Sequence, residues 1–194
     1  MITLKHVCKS FERPVLDDVN LQLAQGQLYL IKGVSGCGKT TLLNIIGGLD
    51  KHFSGELSGE TGNIGYLFQQ SLLLSGLSVL ENLTFLHNNK SLILKLAEEF
   101  AVTQLLDKLP EQLSGGERQR VAIIRCLAGN PSLVIADEPT ASLDARNSAK
   151  VAANINAMKA PQRLIIIATH EKYFDEYADE IIWLDYGKIK VVGH

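Results

Sequence analysis

A chain of 194 residues, 46% hydrophobic and 21% charged, has the size of one domain with a substantial core, and its composition excludes a disordered or low-complexity protein. The formal net charge of −2 lacks the basic excess that electrostatic nucleic-acid binding needs. The longest apolar runs, such as residues 164–168, are strand-sized, far short of the roughly 20 residues that cross a bilayer.

Taken from the N-terminus, Met1-Ile2-Thr3-Leu4-Lys5 starts a strand and does not resemble a signal peptide, so a cytoplasmic location is expected. Cys8, Cys37 and Cys126, an odd number without metal-type spacing, suit a reducing compartment. Residues 2–7 and 20–24 have strand character, and Asn20-Leu21-Gln22-Leu23 alternates polar and apolar as a half-buried antiparallel pair does. The apolar run Leu28-Tyr29-Leu30-Ile31 then enters Gly33-Val34-Ser35-Gly36-Cys37-Gly38-Lys39-Thr40, which meets G-x-x-x-x-G-K-[ST] at every fixed position. Glycines at 33, 36 and 38 allow backbone angles and a close approach that a Cβ forbids, so successive N–H groups can face phosphate oxygens. Lys39 supplies a point charge to the β- and γ-phosphates, the Thr40 hydroxyl suits Mg²⁺, and the following helix adds the positive end of its dipole. A turn that only links strand to helix would not require this order of strand, glycine loop and lysine.

The helix from Lys39 carries Leu42, Leu43, Ile45 and Ile46 and stops at Gly47-Gly48. Residues 54–68 hold short strand-like pieces punctuated by glycine and end in Ile64-Gly65-Tyr66-Leu67-Phe68. From about 78 to 107 the pattern turns helical, with Leu92, Leu96 and Phe100 four apart, and predicts a separate helical lobe. Leu113-Ser114-Gly115-Gly116-Glu117 opens a helix carrying Val121, Ile124 and Leu127, ended by Gly129-Asn130-Pro131. Apolar strands at 133–136, 164–168 and 180–184 alternate with helical segments, which predicts a mostly parallel sheet covered by helices. Tyr186-Gly187 marks a terminal hairpin. Asp137 and Glu138 stand at the C-terminal end of a buried parallel strand, where open α/β sheets bind ligands. There Asp137 suits a metal ion, and Glu138, one residue further out, suits the base for an attacking water.

With the glycine loop, Leu113-Ser114-Gly115-Gly116-Glu117-Arg118-Gln119-Arg120, Asp137-Glu138 and His170 together, the chain resembles the ATP-binding-cassette ATPases over nearly its whole length. The resemblance implies a single domain over residues 1–194. Its α/β P-loop NTPase core would have a mostly parallel sheet, a small antiparallel β subdomain and an inserted helical lobe at about 71–125. It implies ATP and Mg²⁺ as ligands, with Gly33, Ser35, Gly36, Cys37, Gly38, Lys39, Thr40 and Thr41 around the phosphates. Two such domains would pack head to tail as a homodimer, so that Ser114, Gly115, Gly116 and Glu117 of one close over the nucleotide of the other. Physically, Ser114 and the N–H groups of Gly115 and Gly116 open a helix whose positive end can face a γ-phosphate.

Further positions follow from the same resemblance. Gln69, with Gln70 beside it sharing the assignment, touches Mg²⁺ and the attacking water; Thr40 and Asp137 complete the metal set. Ser142-Leu143-Asp144 forms the loop that crosses the dimer seam. His170 contacts the γ-phosphate and positions water beside Glu138. Phe11 falls where an aromatic ring stacks on adenine, although a phenylalanine near a strand end serves equally as core. Cys37 fills a variable small position, where a bulky thiol adduct would block nucleotide.

Departures from the family are a short connection over residues 56–64, which predicts a trimmed peripheral sheet, and a compact lobe. Among relatives the resemblance is closest to short ATPases serving export, lipoprotein release and antimicrobial-peptide resistance. These work from the inner membrane face beneath separate permease subunits. The apolar residues Leu72, Leu73, Leu74 and Leu77 suit either a groove for such a subunit or the core of the lobe. Non-transport members differ by coiled-coil or zinc insertions or by a second cassette in the chain, neither of which is present. A docking protein without hydrolysis would not need Glu138 and His170.

Overall fold

The computed structural model describes residues 1–59, 61–68, 71–87, 89–141 and 143–192. Two long strands, β1 (Ile2–Ser10) and β2 (Pro14–Leu23), pair antiparallel, and β4 (Ser54–Ser58) joins the free edge of β1 to give the order β2-β1-β4. Both long strands exceed their expected lengths. The alternation that signals a strand is interrupted by irregular register between Leu4 and Val7, where His6 takes φ 51° opposite Asp18 at φ 56°. Only β1, β2 and β4 make up this peripheral sheet among the described residues, in line with the short 56–64 connection.

The larger sheet contains β3 (Leu28–Lys32), β5 (Ile64–Leu67), β6 (Leu133–Asp137), β7 (Leu164–Ala168), β8 (Glu180–Asp185) and β9 (Lys188–Val192) in the order β5-β6-β7-β3-β8-β9. All neighbours run parallel except the β8–β9 hairpin. Tyr186 at φ 44° and Gly187 at φ 77° form its two-residue turn, whose positive angles match the twist of the flanking strands.

The central strands are buried on both faces, and their period of two divides the protein into two cores. Leu28, Leu30, Val134, Ala136, Ile165 and Ile167 face one side. Tyr29, Ile31, Leu133, Ile135, Ile166 and Ala168 face the other, where α1 (Lys39–Ile46) and the antiparallel sheet cover them. On the first side lie α4 (Gly115–Ala128) and α5 (Ala145–Asn156). This core continues without a break into α2 (Val79–Thr84) and α3 (Lys90–Glu99). The helical pattern expected over 78–107 is thus two α-helices and a 3-10 turn at Thr103–Leu105. On α3 the buried stripe is Ile93, Leu96, Ala97 and Phe100, with Leu92 only half-buried, because i, i+3, i+4, i+7 spacing centres one residue later than the Leu92 series suggested. No described helix is long and apolar enough to cross a membrane.

Candidate functional site

β3, β6 and β7 are adjacent, so the loops leaving their C-terminal ends meet at one edge of the sheet. They enclose a cavity of about 670 Å³ lined by Gly33, Val34, Ser35, Gly36, Gly38, Lys39, Thr40, Thr41, Asp137, Glu138 and His170, with Val15 and Ala141. At Gly33 a Cβ would stand 2.2 Å from the Leu184 carbonyl oxygen, so the loop can leave β3 only as glycine. Gly38 caps α1 at φ 107° and offers no side-chain acceptor to the first turn, whose N–H groups are left for a ligand. Gly36 has φ 77° and open space around its Cα.

Lys39 is buried, and its Nζ donates to the carbonyls of Gly33 (2.9 Å) and Val34 (3.3 Å), curling the loop around its own cation. The same ammonium lies 4.0 Å from Glu138 Oε1. Thr40 Oγ1 donates to Asp137 Oδ2 at 2.6 Å. Burial pushes the Asp137 carboxyl above its ordinary value, with the Glu138 charge adding to the push against the Thr40 hydrogen bond and the Lys39 charge. A hydroxyl beside a buried carboxylate that gains from a cation is a hard oxygen pair, and it fits a divalent ion completed by phosphate and water oxygens. No group of three His, Cys, Asp or Glu residues suited to a metal occurs among the described residues.

Glu138 takes φ 47°, a strained angle for a non-glycine residue, and its N–H is tied to the Ala168 carbonyl at 2.8 Å. Its Oε1 meets His170 Nδ1 at 3.0 Å, whereas Oε2 is buried without a partner among the described residues. The glutamate is largely enclosed and the histidine 68% exposed, so the pair joins a fixed carboxylate to a ring open to the cavity. Thr140, fully buried, donates to the Glu171 carboxylate, and Glu171 N–H donates to Thr169 Oγ1 (3.1 Å). The two loops after β6 and β7 are thereby bonded to each other.

Other expected site residues lie elsewhere. Cys37 carries its thiol into the core beneath the loop, 8% exposed, while its N–H donates to Val34 (3.2 Å); its side chain does not line the cavity. Cys37 thus keeps its place in the loop as a small residue, but its thiol packs in the core, so an adduct on it would start from the core side of the loop and not from the cavity. Phe11 is 64% exposed in the β1–β2 turn with the Lys9 ammonium 4.8 Å from its ring centre, outside the cavity walls. Val15, just after the turn, stands at the cavity instead.

Ser114 is the N-cap of α4 in a reciprocal box, Glu117 N–H donating to Ser114 Oγ (3.3 Å) and Ser114 N–H to Glu117 Oε2 (2.7 Å). Asp144 likewise caps α5 through Asn147 N–H (2.9 Å). Ser114, Gly115, Gly116, Glu117 and Asp144 are not part of the cavity wall of their own chain. Gln69, Gln70 and Ser142 lie outside the described residues. Val15, Ala141 and the Thr140–Glu171 bond went unread in the sequence, because they enter through packing and carry no pattern.

A family model described as ABC transporter matches residues 16–141. "Putative hemin import ATP-binding protein HrtA" of Staphylococcus aureus strain MRSA252 is 38% identical, covering 97% of this chain and 98% of the relative. Its counterpart in Staphylococcus haemolyticus strain JCSC1435 is 37% identical over 98% of this chain and 99% of the relative. These alignments run over 219 positions against 194 residues here, so this chain is the shorter within the aligned region. Among solved structures, the ATP-binding cassette MJ0796, in a dimeric post-hydrolysis state bound to ADP and Pi, superposes with a TM-score of 0.86. Its identity is 31%, covering 98% of this chain and 97% of that one. A second dimeric structure of MJ0796, described as a bacterial ABC transporter cassette, has a TM-score of 0.87 at 31% identity over the same shares. Glycine loop, acidic strand end, family match and whole-chain likeness agree, and the chain belongs to the ABC transporter family as an ATP-binding subunit with the ATPase fold and activity of its cassettes.

Proposed function

We propose that Glu138 is the base for hydrolysis, that Thr40 and Asp137 hold Mg²⁺, and that two copies close head to tail around ATP to drive separate membrane subunits. The observation that carries the catalytic part is the Glu138 carboxylate in the cavity wall, with one oxygen held by His170 and the other without a hydrogen-bond partner among the described residues. Lys39 and the open first turn of α1 bind the phosphates, and His170, anchored to Glu138, orients water against the γ-phosphate. Bound magnesium would supply charge neutralisation on the β- and γ-phosphates. Closure is a population shift, with ATP favouring the closed pair through contacts from the partner's helix that are lost after cleavage. The dimeric MJ0796 structures and the exposed position of Ser114 outside its own cavity favour this reading.

Residues of about 71–125 are assigned to a lobe that receives the permease at the inner membrane face. A groove of about 370 Å³ there exposes Phe68, Leu74, Phe85 and Leu86. Leu72 also points outward, whereas Leu73 packs on the core, so the apolar run divides between the two uses considered for it. The staphylococcal relatives are named for hemin import, which makes hemin the first cargo to test and points away from the export expected by resemblance. The residues that bind and cleave ATP serve either direction, which the permease sets.

The direct test is phosphate release with and without magnesium. Glu138→Gln is expected to slow turnover by about 10²- to 10⁴-fold with ATP binding retained, and Lys39→Ala to lose binding itself. Parent-like turnover by Glu138→Gln would remove the glutamate from the role of base.

A further inference from the structure

His170 is the member of the proposed catalytic pair that packing does not hold, because its side chain is mostly exposed and residues 170–174 form neither helix nor strand. Glu138, by contrast, sits on a turn fixed from several sides. Its N–H donates to the Ala168 carbonyl (2.8 Å), buried Gln119 of α4 donates from Nε2 to the Pro139 carbonyl (2.7 Å), and Ala141 N–H donates to the Glu138 carbonyl (3.2 Å). The placement of the histidine ring therefore depends on how its main chain is tied.

The residues on either side of His170 supply those ties. Thr169, fully buried, donates its N–H to the Ile31 carbonyl of β3 (3.2 Å) and accepts the Glu171 N–H on Oγ1 (3.1 Å). Glu171 also accepts the Thr140 hydroxyl on Oε2. Thr140 is fully buried, so its hydroxyl has no water to turn to and would be left unpaired if Glu171 were removed. This bond closes a short ring. From Glu138 the chain runs two residues to Thr140, crosses to Glu171, steps back one residue to His170, and returns through the 3.0 Å contact of His170 Nδ1 with Glu138 Oε1. Opening the ring at Thr140 and Glu171 would leave His170 on a span whose next buried side chain is Phe174.

We propose that Glu171 is a positioning residue for hydrolysis: by accepting the Thr140 hydroxyl it locks the loop after β7 to the turn after β6 and holds the His170 ring against Glu138. The inference rests on the roles proposed above for Glu138 and His170. It differs from a purely structural role in what it leaves alone, because the bonds of Lys39 go to Gly33, Val34 and Glu138 and not to Thr140 or Glu171. Nucleotide binding should be spared.

The experiment uses the full chain with Glu171→Ala, Glu171→Gln, Thr140→Val and Thr140→Ser. It compares the imidazole nitrogen NMR resonances, phosphate release at saturating ATP and magnesium, ATP affinity measured in EDTA, and Tm. His170→Ala identifies the His170 resonances, and His6, whose Nδ1 meets Asp18 Oδ1 at 2.7 Å on the antiparallel sheet, is the reference that should not move. Expected for Glu171→Ala and Thr140→Val is a His170 signal shifted to that of a solvent-averaged ring, kcat lower by about 10- to 100-fold, and ATP affinity within about twofold of the parent. Thr140→Ser keeps the hydroxyl and should stay near the parent. Glu171→Gln keeps an acceptor oxygen without the charge and should fall between. An unmoved His170 signal in Glu171→Ala, or a moved signal with parent-like kcat, overturns the proposal. So does a loss in which Tm, ATP affinity and the His6 signal change together in the Glu171 variants. Failure here is separable from failure of the function: if Glu138→Gln abolishes turnover while Glu171→Ala turns over like the parent, the function stands and Glu171 does not position the histidine.

Discussion

Gly33 and Gly36 occupy the same loop for different physical reasons, and alanine separates them. At Gly33 the new Cβ would meet a main-chain oxygen at 2.2 Å and the buried Cys37 sulfur at 2.6 Å, neither of which can move away without shifting β8 or the core. Gly33→Ala is therefore expected to lower folding stability by more than about 2 kcal/mol, read as a fall in Tm and in soluble yield. At Gly36 nothing stands within 4 Å, so Gly36→Ala bears only the left-handed backbone cost of about 1–2 kcal/mol. That variant should fold but lose ATP affinity if the loop binds phosphate as proposed, because the methyl group is added to a residue of the cavity wall; retained affinity in a titration would show that the loop has slack there. The residue types of the cavity were legible because the glycines, Lys39, Thr40, Asp137 and Glu138 sit at spacings that chemistry dictates. Side-chain direction was not. Cys37 points inward among core residues distant in sequence, Phe11 rests beside Lys9 in the exposed β1–β2 turn, and Val15 enters only because β2 passes the mouth of the loop.

At the scale of elements, α1 and α4 end differently for related reasons. α1 has no side-chain cap on its first turn, whereas in α4 the Glu117 N–H is taken by Ser114 Oγ and the Ser114 N–H by Glu117 Oε2. Ser114→Ala should therefore lower stability by about 1 kcal/mol, measurable by urea unfolding, in addition to any effect on turnover. The Ser114 N–H, with the Ser114 hydroxyl second, holds the Glu117 carboxyl below its ordinary value of 4.5. A carboxylate depressed in the folded state adds stability that is present above 4.5 and lost as pH falls through the folded value. The stability gap between the parent and Glu117→Gln should accordingly exist at pH near 7 and close in acid; a gap independent of pH would mean that the charge is not what the box uses. Element types were readable from period and punctuation, as in the β8–β9 hairpin at Tyr186-Gly187. Boundaries failed where tertiary bonding overrode local pattern: the irregular register near His6 hid the length of β1.

For the whole molecule, the separation of Ser114 from the cavity of its own chain makes a prediction that no single-chain catalyst would satisfy. If each working site combines the glycine loop of one copy with the α4 N-terminus of another, Lys39→Ala and Ser114→Arg damage opposite halves of a shared site, and each homodimer is inactive for a different reason. In a mixed dimer one site contains both lesions, while the other combines the intact Lys39 of one chain with the intact Ser114 of its partner. Random pairing of equal amounts makes half the dimers mixed, each with one sound site, so phosphate release should return to at most about a quarter of the parent level. The recovered rate should rise with total protein concentration, because it requires association. A mixture that stays inactive while the parent dimerises would place the complete site within one chain. Adding Glu138→Gln to the Ser114→Arg chain provides the internal control: the sound site then keeps its loop and partner helix but loses its base, and the recovery should disappear although mixed dimers still form.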